Sequence, residues 1–215
     1  MDKSRAGYVI NSKLISIMFT GIISEVGTLT KVSQMDGGKE MTISATFAGD
    51  THIDESIAVN GVCLTVVSLD DETFSVQCVD ETLRKTGLGE LEQGSPVNLE
   101  RSLTLEKAVE GHIVQGHVDT VGKIKTISKE GADLLLDITY PDEFDDYIVG
   151  RGSIAIDGIS LTIARDEKGS SFTVAIIPYT WEHTNLKEKK EGDAVNLEFD
   201  VFGKYIVKYL EKRGL

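Results

Sequence analysis

The chain has 215 residues, room for one large domain or two of roughly 100 each. With 40% hydrophobic and 27% charged residues it has the apolar material for a globular core, which sets it apart from disordered and fibrous chains. A net charge of -13 repels phosphate backbones and anionic lipid, so neither nucleic acid nor a membrane surface is expected as a partner.

Residues 1–17 precede the first patterned segment. The apolar run Leu14 to Ile23 follows Lys3, Arg5 and Lys13, yet it is short, contains Thr20 and Gly21, and lacks a small-residue cleavage site. It is not read as a signal peptide; residues 1–17 are read as an extension ahead of the domain that is expected to be poorly ordered. No stretch approaches the ~20 apolar residues that span a bilayer. Cys63 and Cys78 are the two cysteines, with no C-x-x-C spacing and no Cys/His cluster, which points to reduced thiols in a cytoplasmic protein without a metal site.

From Met41 onward the dominant period is two. Met41, Ile43, Ala45 and Phe47 alternate with Thr42, Ser44 and Thr46, and Phe74, Val76 and Cys78 alternate with Ser75 and Gln77. Further on, Leu134, Leu136, Ile138 and Tyr140 alternate, as do Phe172, Val174 and Ile176. These are half-buried strands, with turns at Gly37-Gly38, Asp70-Asp71 and Lys168-Gly169. Two helices are predicted. One is short, over Pro141 to Val149; the other ends the chain, with Tyr205, Ile206, Tyr209 and Leu210 opposite Lys204, Lys208, Glu211 and Lys212. That last helix fits an oligomer contact or a docking against its own barrel.

The chain also repeats itself. Ser56-Ile-Ala-Val-Asn-Gly-Val-Cys-Leu-Thr-Val66 aligns with Ser153-Ile-Ala-Ile-Asp-Gly-Ile-Ser-Leu-Thr-Ile163, and Val97-Asn-Leu-Glu100 recurs unchanged as Val195-Asn-Leu-Glu198. Gly21 to Gly27 matches Gly116 to Gly122, and Thr82 and Thr86 recur as Thr180 and Thr184. A register held at about 97 residues over separate blocks marks a tandem domain duplication, with its boundary between Arg101 and Gln115. Many short strands per copy imply one small closed barrel each, because closure removes exposed edges.

No P-loop, dinucleotide glycine motif, H-E-x-x-H or G-x-S-x-G is present, which argues against redox, phosphoryl-transfer and serine-hydrolase chemistry. The chemistry is therefore sought where the copies differ. Cys63 aligns with Ser160; the cysteine is either a small buried hydrophobe or one of a matched pair of polar groups facing two similar ligands. His117 aligns with Ile22, and His112 stands five residues before it in Glu110-Gly-His-Ile-Val-Gln-Gly-His-Val-Asp119. Two histidines in one glycine-punctuated junction suit structural hydrogen bonds or acid-base work. Asp200 is a solvated strand end or a charged site group. Pro178 to His183 supplies aromatics for a pocket or for a core.

Met18-Phe-Thr-Gly-Ile-Ile23, Asn60-Gly-Val-Cys-Leu-Thr65, Glu81-Thr-Leu-Arg84, Gly111 to Asp119, Asp157-Gly-Ile-Ser-Leu-Thr162 and Val195-Asn-Leu-Glu-Phe-Asp200 together resemble the riboflavin synthase family, from Met18 to about Tyr209. The resemblance implies an all-β chain of two six-stranded antiparallel Greek-key barrels: an N-terminal lumazine-binding barrel over 18–113, a C-terminal one over 114–201, and an oligomerisation helix over 202–215. It implies a homotrimer, association with lumazine synthase, and no cofactor. Two molecules of 6,7-dimethyl-8-ribityllumazine would meet between barrels of neighbouring subunits and exchange a four-carbon unit, giving riboflavin and 5-amino-6-(ribitylamino)uracil. Phe19, Cys63, His117, Ser160, Thr162 and Asp200 match the family's catalytic positions. The N-barrel pocket is expected to hold Gly21, Ile22, Ile23, Cys63, Leu64, Thr65, Gln77, Cys78, Val79, Asp80, Glu81 and Thr82. The C-barrel pocket is expected to hold Gly116, His117, Val118, Ser160, Leu161, Thr162, Ala175, Ile176, Ile177, Pro178, Tyr179 and Thr180, with Arg151 nearby where some members carry lysine. Glu110 and Gly87 depart from the family's usual glycine and asparagine. The competing readings are a lumazine-binding protein of the same fold without turnover, and a flavin-binding barrel of an oxidoreductase, for which no nucleotide-binding segment remains.

Overall fold

The computed structural model describes residues 18–104, 106–167 and 171–214. The expected extension over 1–17 and the turn at Lys168-Gly169 lie outside the described residues. Each repeat folds as six strands: β1 (Glu25–Met35), β2 (Gly38–Ser44), β3 (Ser56–Val59), β4 (Val62–Leu69), β5 (Thr73–Val79) and β6 (Pro96–Arg101), then β7 (Thr120–Glu130), β8 (Asp133–Thr139), β9 (Ser153–Ile156), β10 (Ile159–Glu167), β11 (Ser171–Ile176) and β12 (Ala194–Phe199).

The first barrel closes in the order β1-β2-β5-β4-β3-β6, the second in the matching order β7-β8-β11-β10-β9-β12, and all pairs are antiparallel. The jump from β2 past β5 and β4 to β3 makes the Greek-key crossing. Alternation puts Leu29, Met41, Ile43, Phe74, Val76 and Leu99 inside the first barrel, and Ile124, Leu136, Ile138, Phe172, Val174 and Leu197 inside the second. Each such side chain contributes about 1.5–3 kcal/mol by leaving water. Register shifts recur at matched places, Leu29/Lys31 with Ile124/Thr126 and Val66/Ser68 with Ile163/Arg165, where an extra residue bends a strand enough to close so small a sheet. Phe47 falls beyond β2 and stacks on Phe74 instead of continuing the strand.

The barrels meet at two equivalent hairpins. Asn60-Gly61 and Asp157-Gly158 all have positive φ, the conformation a tight two-residue turn needs. A methyl added at Gly61 would stand 2.6 Å from the Gly158 nitrogen, so the turns touch backbone to backbone. Around them runs a buried polar network. Asn98 Nδ2 donates to the Asp157 carbonyl (3.0 Å) and Asn196 Nδ2 to the Asn60 carbonyl (2.8 Å), two equivalent bonds related by a pseudo-twofold axis. The symmetry breaks at Gly87. Asn185 Nδ2 donates to Asn60 Oδ1 and Asp157 Oδ2, while its counterpart, Gly87, offers only its N–H, to Asn196 Oδ1 (2.7 Å). A cavity of about 500 Å³ opens there, walled in part by Gly87, Leu91, Lys189 and Asn196.

Among the described residues three α-helices complete the fold. α1 (Asp80–Lys85) and α2 (Pro178–Glu182) follow the fifth strand of each barrel. They are too short for a 3.6-residue period to show, and the sequence did not predict them as helices. The helix expected over Pro141 to Val149 is a 3-10 helix over Asp142–Tyr147. α3 (Val201–Arg213) begins where the Asp200 carboxylate accepts the Phe202 N–H (2.9 Å), and ends at Gly214 in the left-handed conformation. It packs on the 3-10 turn beside the stacked rings of Phe144, Tyr147 and Phe199, and Lys204 pairs with Asp119 (2.6 Å). Phe202, Tyr205, Ile206 and Tyr209 remain exposed. Among the described residues no helix is long and apolar enough to cross a membrane.

Candidate active site

The segments that open the two repeats run antiparallel beside one another, joined by a bridge between Phe19 and Val114. Phe19 is fully buried there with Ala58, Val114 and Ala155, so packing is the role this conformation gives it. Just beyond the bridge the segments cross over. The Ser160 N–H, on the second barrel's β10, donates to the carbonyl of Gly21 (2.8 Å); the Cys63 N–H, on the first barrel's β4, donates to the carbonyl of Gly116 (2.9 Å). Gly21 and Gly116 both have φ +77, and a methyl on either would stand 2.5 Å from the Cβ of its partner. Only glycine fits.

That crossing corrects the grouping expected from sequence. Ile23 packs against the second barrel's core and Val118 against the first's. Gly21, Ile22 and Ile23 therefore belong with Ser160, Leu161 and Thr162, and Gly116, His117 and Val118 with Cys63, Leu64 and Thr65. Two equivalent candidate half-sites result, each made from both barrels.

The half-sites share a frame and differ in chemistry. On the second, His112 Nδ1 lies 2.7 Å from Ser160 Oγ. Burial holds this imidazole below the usual histidine range, with the Asp200 charge opposing, so near pH 7 it is largely neutral, and its tautomer decides whether Nδ1 accepts from or donates to the serine hydroxyl. His112 was seen in the sequence as half of a histidine pair but not placed among the site residues; its contact with Ser160 needs the crossing. On the first half-site Cys63 is half-buried, and burial pushes its thiol up against a hydrogen bond with Ser56, with the Glu198 charge adding to the rise. His117 is exposed, with its backbone N–H held by Glu198 (3.0 Å). Thr65 and Thr162 are exposed at matched strand positions.

The rims come from the ends of β5 and β11. Alternation turns Cys78 and Ile176 into the barrel cores, so these two expected lining residues can reach a ligand only through backbone; burial pushes the Cys78 thiol up to about 11. Val79, Ile177 and Tyr179 are exposed. On α1, Glu81 pairs with Arg84 (2.5 Å) and Lys85 (2.8 Å); at the matched place on α2, Tyr179 stacks on His183 at 4.0 Å. One rim is charged and the other aromatic. Arg151 lies in a left-handed turn whose N–H donates to the Ile163 carbonyl (2.9 Å). Among the described residues no three His, Cys, Asp or Glu side chains are grouped to hold a metal ion.

Two like candidate half-sites on a duplicated barrel fit a protein built from two similar ligand-binding modules, and the lumazine binding domain model matches the chain twice, over residues 20–102 and 115–200. Riboflavin synthase of Actinobacillus pleuropneumoniae is 46% identical over 197 residues, covering 91% of both chains. That of Schizosaccharomyces pombe is 42% identical over 90% of this chain and 94% of its own, and that of Bacillus subtilis 38% over 91% of each. Two solved structures of LumP, one complexed with riboflavin (25% identical, TM-score 0.76) and one with flavin mononucleotide (26%, 0.74), superpose over 85% of this chain and 99% of theirs. The chain belongs to the riboflavin synthase family.

Proposed function

We propose that the chain is the enzyme its relatives are named for: it joins two 6,7-dimethyl-8-ribityllumazine molecules, moves four carbons from one to the other, and releases riboflavin and 5-amino-6-(ribitylamino)uracil. The products together hold every atom of two substrates, so the overall reaction needs no outside oxidant or reductant. The observation that carries the reading is the matched pair of crossed half-sites, Ser160 over Gly21 and Cys63 over Gly116. A reaction between two copies of one heterocycle needs two similar seats.

In the Ser160 seat, neutral His112 draws the proton from Ser160 Oγ, readying that oxygen, or a water beside it, to add at C7 of one lumazine. In the Cys63 seat the C7 methyl of the other lumazine gives up a proton, which His117 and Thr162 would handle once two seats face each other. The carbanion, delocalised over its ring, attacks the activated partner. Holding the pair in attack geometry is worth about 7–11 kcal/mol of the barrier, and the acid-base steps ~10²–10⁴-fold. Residues 18–113 and 114–201 serve as two lumazine-binding units, and 202–215 as an assembly helix. A homotrimer supported by the exposed α3 face would bring the seat of one subunit to that of the next. A cytoplasmic location and association with lumazine synthase, which makes the substrate, complete the proposal.

The test is to mix purified protein with the lumazine and follow riboflavin absorbance. A steady rise with one riboflavin per two lumazines consumed supports the enzyme. Bound ligand left unchanged overturns it in favour of a binding protein of the same fold.

A further inference from the structure

The repeated Val-Asn-Leu-Glu blocks end on two glutamates that a barrel surface would ordinarily leave in water. Glu100 and Glu198 are instead 1% and 3% exposed. Among the described residues neither is spent on a close ion pair. Glu100 Oε1 accepts the Thr20 N–H and the Thr20 hydroxyl (both 2.7 Å), Oε2 accepts the Gly21 N–H (2.9 Å), and Lys107 stands off at 3.9 Å. Glu198 Oε1 accepts the Gln115 N–H (2.6 Å), and its Oε2 the N–H groups of Gly116 (2.9 Å) and His117 (3.0 Å). Burial raises the pKa of both carboxyls, while their backbone hydrogen bonds pull the other way. So costly a placement, made twice at equivalent positions, calls for a purpose beyond barrel closure.

The held segments supply it. They are the ones that cross: the carbonyl of Gly21 receives the Ser160 N–H and that of Gly116 receives the Cys63 N–H. Each chain of contacts therefore runs from a glutamate on one barrel, through a glycine segment, to the seat strand of the other. We propose that Glu100 and Glu198 are positioning residues for the two seats, Glu100 fixing Gly21 and Ile22 against the Ser160 seat and Glu198 fixing Gly116 and His117 against the Cys63 seat. An ionised carboxylate is suited to this, since both oxygens accept and neither donates. A glutamine would turn an NH₂ toward backbone N–H groups. Charge also shortens and strengthens the bonds. The proposal rests on the two-seat reading above and adds that each seat depends on a different glutamate, in the opposite barrel.

The experiment titrates the protein with riboflavin, which is not consumed, and counts ligands per chain for wild type, Glu100→Gln and Glu198→Gln, with thermal melting as the check on folding. The expected result is two riboflavins per chain for wild type and one for each variant. Riboflavin should slow alkylation of Cys63 in wild type and Glu100→Gln but not in Glu198→Gln. Thr20→Val is the gentler variant, removing one hydroxyl bond to Glu100, and it should weaken a single seat roughly tenfold while the other keeps its affinity. Two unchanged seats in folded variants, or equal weakening of both seats by Thr20→Val, would overturn the assignment. A wild-type chain that neither binds riboflavin nor converts lumazine would instead sink the functional reading itself.

Discussion

The backbone of Ser160 hangs from that of Gly21, 2.8 Å from nitrogen to oxygen, although the two residues belong to different barrels. The bond and its counterpart between Cys63 and Gly116 tie barrel packing to site geometry, so a change at the seam is felt at the seats. Gly116→Ala tests the coupling. Its Cβ would sit 2.5 Å from Cys63 Cβ in a left-handed backbone. The expected cost is about 2–4 kcal/mol of stability, from strain and overpacking together. Urea unfolding measures that, and turnover should fall with it.

The Ser160–His112 contact sets a pH dependence. The folded pKa of His112 is depressed, so over the window between that value and the ordinary 6.5 the unfolded chain binds more protons than the folded one. Stability is therefore full above 6.5 and declines as pH falls through the window. Turnover should show an acid limb with its midpoint below 6.5. His112→Gln should remove that limb and cost ~10²–10⁴-fold in rate, read from kcat against pH. An unchanged profile would remove His112 from the reaction.

Much of this was legible in the sequence. The strands announced themselves through Met41, Ile43, Phe74 and Val76, and the duplication through the Asn60-Gly61 and Asp157-Gly158 blocks, because period-two burial and tight turns are written locally. What was not legible is which barrel a segment leans on. Gly21 aligns with Gly116 whether each stays home or crosses, and the alignment is blind to the difference. The same blindness hid the His112–Ser160 contact and the burial of Phe19. α1 and α2 went unread because five or six residues cannot display a helical period.

Gly87 offers a gain of stability. Its N–H already bonds Asn196 as Asn185 bonds Asn98, and an added Cβ would lie 3.4 Å from Asn196 Oδ1, near enough to touch without forcing. Gly87→Asn should place an amide beside Asn60 and Asp157, completing the pseudo-twofold network and filling part of the cavity. A gain of about 1 kcal/mol is expected, from one buried hydrogen bond and a less flexible unfolded chain. A higher urea midpoint with unchanged turnover is the expected reading.

Cys63 makes a poor nucleophile. Burial and the Glu198 charge both raise its pKa, leaving little thiolate at neutral pH. Cys63→Ser keeps a small polar group beneath Gly116 and gives both seats a hydroxyl at this matched position. It should lose less than the ~10²-fold that removal of an acid-base group costs. A loss as large as that of His112→Gln would show that the thiol takes part in the chemistry.

The exposed face of α3 carries Phe202, Tyr205, Ile206 and Tyr209, while the rest of the helix is anchored by the Asp200 cap and the Lys204–Asp119 pair. A contiguous apolar strip on a well-anchored helix is what an assembly contact requires. Ile206→Asp would bury an unpaired carboxylate in such a contact yet touch neither barrel core, so the expected outcome is a folded monomer by sedimentation with an unchanged melting profile for its barrels. If seats of neighbouring subunits must face each other, that monomer should still bind riboflavin at both seats and make none from lumazine. Full turnover by a proven monomer would place both reacting molecules within one chain, and the separation of the two seats across the seam would then have to close by movement of the barrels.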